Sequence, residues 1–294
     1  MFLKSLLSVI AGAAMTAIAV GTAHADDVVK IGSKNFTEQF VVAEIYAQAL
    51  EKAGVKVERH LNLGATLVAQ TALTNGDIDF YPEYTGTALA AVVKGDLSGS
   101  ADKIYSDVKD YYEKNLKLTL LTPTKINNGY AIITLPETAE KYKLKTLSDL
   151  GPVSKNLSFG AEGGFSERKD GLPGLKQTYG IEFKEFKVFA KLGIRYSALI
   201  NKDLDVSYGF ATDWQISDNK LVVLDDDKHL FPPYYLVPVV RQDALAKNPK
   251  LAEVLNKISP LLNNENMREL NAKVDRDKEE PADVAAEFLK SQGI

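Results

Sequence analysis

Polar and apolar positions alternate along this chain with two periods. VVKIGSK, residues 28–34, has the alternation of a strand. FTEQFVVAEIYAQALEKAG follows, with Phe36, Phe40, Ala43, Ala47 and Leu50 on helical spacing and Gly54 placed to end the helix. VKVERHLNL, 55–63, alternates as a second strand. GATLVAQTALTNG reads as a short helix closed by Asn75-Gly76, and DIDFYP as the next strand. Strands alternating with helices predict βαβ units and an α/β fold on mostly parallel sheets. Such sheets hold ligands at the carboxyl ends of their strands.

The pattern then recurs. ALTNGDIDFYPEYTGT (72–87) set against ALINKDLDVSYGFATD (198–213) matches Ala72 with Ala198, Leu73 with Leu199, Asn75 with Asn201, Asp77 with Asp203 and Asp79 with Asp205. At the same offset Gly54 falls on Gly180. A helix–turn–strand unit used twice predicts two similar α/β lobes. Tyr84 then stands opposite Phe210, each just past the carboxyl end of its strand. If the lobes face each other, both rings line the cleft; the commoner fate of such rings is to cap their own cores.

NNGYAIIT (127–134) and FPPYYLVPVV (231–240) each put a tyrosine before an apolar run. We read them as two strands crossing between the lobes, with Tyr130 and Tyr234 on the cleft floor. Lobe 1 is expected over residues 26–130 and 235–294, lobe 2 over 131–234. The mixed-charge, helically periodic tail from about residue 243 is expected to pack on lobe 1.

Composition narrows the function. The formal charge of −4, with no basic run, argues against nucleic acid, and the absence of cysteine removes disulfides, thiol chemistry and a lipid-anchor cysteine. The first 25 residues form a separate object. Lys4 precedes the apolar LLSVIAGAAMTAIAV, and AHA (23–25) supplies the small residues of a signal-peptidase site. Cleavage after Ala25 is expected to release an exported, soluble, monomeric protein into a periplasm.

An enzyme reading lacks support. His60 and His229 have no triad partners in sequence, DDD (225–227) lacks calcium-loop spacing, and the Gly-rich EGGFSERKDGLPGL (162–175) does not match a phosphate-binding fingerprint. No cofactor or metal is called for. The aromatics suggest a box instead: Tyr84, Tyr130, Tyr234 and Phe210, with Tyr208 the alternative ring on the same strand face. A quaternary ammonium has no N–H to donate, so ring faces are its natural partners, each contributing about 0.5–2 kcal/mol. Lys34, Arg168 and Thr87 are placed to hold a carboxylate on the same ligand, although a lone Lys or Arg is more often a solvated surface charge. Glu83 is expected to hold the loop rather than meet ligand. The proposed box contains no acid for an α-ammonium group.

IGSKNFTEQ, LNLGAT, NGDIDFYPEYTGTAL, FGAE with DGLPGL, and LVVLDDDKHLFPPY together resemble the substrate-binding proteins of osmoprotectant ABC importers, over essentially all of the chain from residue 28. The resemblance implies a type II periplasmic binding protein fold: two α/β lobes, a ligand cleft and two hinge strands. It implies a glycine betaine, proline betaine, carnitine or choline ligand, a membrane permease as partner, and no catalysis. It also implies a tyrosine box at Tyr84, Tyr130 and Tyr234, with Lys34, Thr87 and Arg168 at the carboxylate positions. Phe210 departs from the tyrosine usual in such proteins before an STD-like tripeptide. Another quaternary amine, or an amino acid on the same fold, stays open as an alternative ligand.

Overall fold

The computed structural model describes residues 28–161, 163–167, 169–189 and 192–294. The segment read as an export signal, and Arg168, lie outside the described residues. Within them the strands form two five-stranded sheets. The first runs β2 (Val57–His60), β1 (Val29–Gly32), β3 (Phe80–Tyr84), β10 (Leu236–Arg241), β4 (Leu118–Leu120). The second runs β7 (Glu185–Val188), β6 (Ser158–Ala161), β8 (Val206–Phe210), β5 (Tyr130–Thr134), β9 (Val222–Leu224). In each sheet the first three strands are parallel and the last two join antiparallel.

The internal repeat is therefore structural, and the matched residues do matched work. Asp79 Oδ2 accepts the backbone N–H of Lys30 at 2.8 Å; Asp205 Oδ2 accepts that of Ser158 at 2.8 Å. Asp77 N donates to Ala72 O and Asp203 N to Ala198 O, both at 2.9 Å. Each carboxylate ties the entry of the strand after a helix to the neighbouring parallel strand, where an unmet backbone N–H would be costly. Gly54 and Gly180, at φ +83° and +68°, both provide the left-handed turn that ends a helix.

The helix α1 (Thr37–Lys52) is buried on almost every side. Its Val41, Val42, Ile45 and Leu50 pack on the first sheet and on the tail helices Lys250–Ile258, Asn264–Asp275 and Pro281–Ser291. The tail packs on α1, which covers its apolar stripe (Leu251, Leu255, Ile258, Val284, Phe288).

The lobe crossings differ from expectation. They are two short segments outside the sheets, just before β5 and β10, running antiparallel at Asn127 and Tyr235. Asn128 N donates to Tyr234 O (3.1 Å) and Leu236 N to Ile126 O (3.0 Å). Pro232 and Pro233 have no N–H to extend a ladder, so regular pairing stops there. Tyr130 opens β5 in the second sheet instead of closing the first lobe.

Candidate functional site

A cavity of about 660 Å³ lies between the lobes, within the range of small-molecule sites. Of the residues singled out from sequence, Lys34, Tyr84, Thr87, Tyr130, Phe210 and Tyr234 all line it.

The aromatic part is built mainly on lobe 2 and the crossings. Tyr130 stacks on Phe210, its register partner across β5 and β8, with ring centres 5.6 Å apart. It also meets Phe231 at 5.5 Å. Phe210 is 38% exposed, an open ring face. Tyr234 is held by its backbone N–H, which donates to Asn127 Oδ1 at 2.8 Å. A Cβ on Gly86 would come within 2.8 Å of the Tyr234 ring and of Pro233 O, so the glycine of YTGT is what admits that tyrosine.

Tyr208 does not join the wall. It stacks on Phe165 at 4.5 Å behind Tyr130, and the Arg195 guanidinium lies 4.0 Å over its ring. It is buried in the lobe 2 core. Sharing a strand face with Phe210 was not sufficient, because the cavity meets only the end of that face.

The lobe 1 part is polar. Tyr84 is only 5% exposed, and its hydroxyl donates to Glu38. Lys34, just past β1, forms a buried ion pair with Glu83. Its Nζ sits 4.6 Å from the Tyr84 ring centre and 5.7 Å from that of Phe36. Glu83 also accepts the Tyr84 N–H at 2.7 Å, and Tyr81 Oη lies 3.1 Å from its other oxygen. Glu83 therefore holds the loop, and it also neutralises Lys34. The protein's own ammonium already rests on one of the predicted box rings.

Several wall residues escaped the sequence reading. Phe36, read as the first position on the helical spacing of α1, is instead its N-cap, 40% exposed and stacked on Tyr84. Glu38, Asp213 and Asp275 also line the cavity, so the site is not short of acids. Their spacing looked like ordinary helix-start chemistry: Glu38 falls in the first turn of α1, and Asp213 precedes the helix Trp214–Asp218. Only the folded lobes bring them together. Burial raises the Glu38 pKa, partly offset by hydrogen bonds from Thr212, Tyr84, Asn271 and Asn128. Burial pushes Asp213 up to about 6, held from rising further by the Phe210 N–H (2.8 Å) and the Tyr196 hydroxyl (2.9 Å). Among the described residues no cluster has the form of a metal site. Arg168 lies outside them.

Two sheets of one topology enclosing a cavity at their strand ends define a two-lobed binding protein of the type II periplasmic fold. The comparisons say which. Residues 27–291 match the family described as the substrate-binding domain of an ABC-type glycine betaine transport system, and the chain belongs to that family. It is 35% identical over 268 residues to the carnitine transport binding protein of Listeria monocytogenes, covering 90% of this chain and 86% of that one. It is 34% identical over 265 residues to an ergothioneine transport permease/ergothioneine binding protein of Helicobacter pylori, of which it spans 47%. A crystal structure described as a glycine betaine/carnitine/choline ABC transporter superposes with a TM-score of 0.86 at 32% identity, covering 90% of this chain and 98% of that one. The family serves transport, and the chain is not an enzyme.

Proposed function

We propose that this protein is exported to the periplasm and captures a quaternary ammonium osmolyte, glycine betaine or a close relative, for delivery to an ABC permease. The observation that carries this reading is an inter-lobe cavity lined by five aromatic residues, Phe36, Tyr84, Tyr130, Phe210 and Tyr234, drawn from both lobes and a crossing segment. Ring faces supply attraction to a methylated cation without needing a donor, and the same rings bury its methyl groups. Thr87 and Arg168, with Lys34 once it is released from Glu83, take the ligand carboxylate. Closing the lobes presents a composite surface to the permease.

A second reading, a ligand without a carboxylate such as choline, is favoured by one observation: the Lys34 ammonium is already paired with Glu83. The test is a calorimetric panel on the purified protein with glycine betaine, proline betaine, choline, carnitine, ectoine and proline. Trp214 fluorescence follows closure. Saturable binding of at least one quaternary amine and little of proline is expected. Binding of proline alone would overturn the reading.

A further inference from the structure

Among the described residues Glu38 has no cationic partner. The carboxylate is 3% exposed on the cavity wall. Its hydrogen-bond partners are Tyr84 Oη, Asn128 Nδ2 (3.3 Å), Asn271 Nδ2 (3.3 Å) and the Thr212 hydroxyl, all neutral. Lys34, the cation among the described lining residues, is committed to Glu83. Among the described residues no Lys, Arg or His forms an ion pair with Glu38. A carboxyl withdrawn from water with no opposite charge resists ionisation, which is why burial raises the Glu38 pKa. A titratable group so perturbed on a cavity wall marks a candidate contact for ligand.

A second atom points the same way. Asn271 is 7% exposed and lines the same wall. Its amide nitrogen is committed to Glu38 Oε2 and to Thr212 O (3.1 Å), which fixes the amide orientation, and its Oδ1 has no donor. One wall therefore carries a buried carboxyl group, which an adjacent cation would favour in its charged form, and an unmet acceptor dipole, beside the aromatic rings.

We propose that Glu38 is the counter-charge of the bound cation, with Asn271 as its positioning partner, so that selection for positive charge is set by this carboxylate as well as by the rings. The assignment rests on the quaternary-ammonium reading above. It has a mechanical consequence. Glu38 belongs to lobe 1, Asn128 to a crossing segment and Thr212 to lobe 2, and Asn128 Oδ1 also faces Thr212 N at 3.4 Å. A cation arriving at Glu38 is sensed by both lobes at once.

The test compares each cation with its neutral carbon isostere by calorimetry: glycine betaine against 3,3-dimethylbutanoate, and choline against 3,3-dimethylbutan-1-ol. In the unmodified protein the preferred cation should exceed its isostere at least 100-fold. Glu38→Gln should cut that ratio tenfold or more, through loss of cation and not of isostere. Glu38→Gln combined with Asn271→Asp keeps one negative charge in the swapped pair and should restore the ratio; it also serves if Glu38→Gln alone does not fold. An unchanged ratio in Glu38→Gln, equal losses of cation and isostere, or a folded double variant without the preference overturns the role of Glu38 alone. No binding of any quaternary amine by the unmodified protein overturns the underlying reading as well.

Discussion

Tyr84 and Phe210 are the last residues of β3 and β8, the same place in two copies of one sheet, yet they have opposite surroundings. Tyr84 is buried, its hydroxyl spent on Glu38 and its ring face on Lys34. Phe210 has no hydroxyl and leaves its ring open beside Tyr130. The repeat fixes where a ring stands, and the neighbours decide what it does. Lobe 1 brings charge, with Lys34, Glu83 and Glu38 around a polar network. Lobe 2 brings the exposed Phe210 ring and Tyr130, backed by Phe165 and Tyr208.

That division can be broken from either side. Tyr234→Ala removes a ring that lines the cavity and should weaken binding of the preferred quaternary amine tenfold or more, roughly 1.4 kcal/mol. Tyr84→Ala should match that loss, and it should also lower the unfolding midpoint, because it strips Glu38 of a donor. Calorimetry and urea titration on both variants separate the two effects; unchanged affinity in both would remove the box from these positions. Arg168→Ala should reduce glycine betaine affinity several-fold more than choline affinity, since only the former has a carboxylate. Equal losses would end its assigned role.

Much of the scaffold was legible in the chain. The two-period alternation and the Asp77/Asp203 and Asp79/Asp205 matches predicted two lobes of one topology, because those residues do local work that sequence spacing encodes. Most of the aromatic wall was legible for the same reason, each ring following a strand end or an NNG or FPPY turn. The acids were not. Glu38 and Asp213 carry adequate helix-start explanations in their own neighbourhoods, and only tertiary folding sets them on one wall. Phe36 was misplaced because helical spacing extends naturally one residue too far, across the N-cap. The Lys34–Glu83 pair spans 49 residues and has no local signature.

Two smaller effects sharpen the contrast. Phe210→Tyr restores a hydroxyl at the open ring and should change affinity by no more than about threefold, since the ring face is retained. Asp213 offers a pH signature. Its carboxyl titrates near 6 in the folded state against an ordinary 3.8, so between those values the native protein holds a proton that the unfolded chain has released. Its contribution to stability is therefore present below about pH 4, falls as pH rises to about 6, and is level above. Asp213→Asn should flatten that slope in urea midpoints measured across the window, and an unaltered slope would show that another group sets it.

The most direct measurement is a crystal structure of the protein with the tightest-binding quaternary amine. The account predicts the methylated nitrogen between the lobes, against the Tyr130, Phe210 and Tyr234 rings and on the Glu38 side of the cavity. A ligand seated outside that cavity, or with its cationic head turned away from those rings, would contradict it.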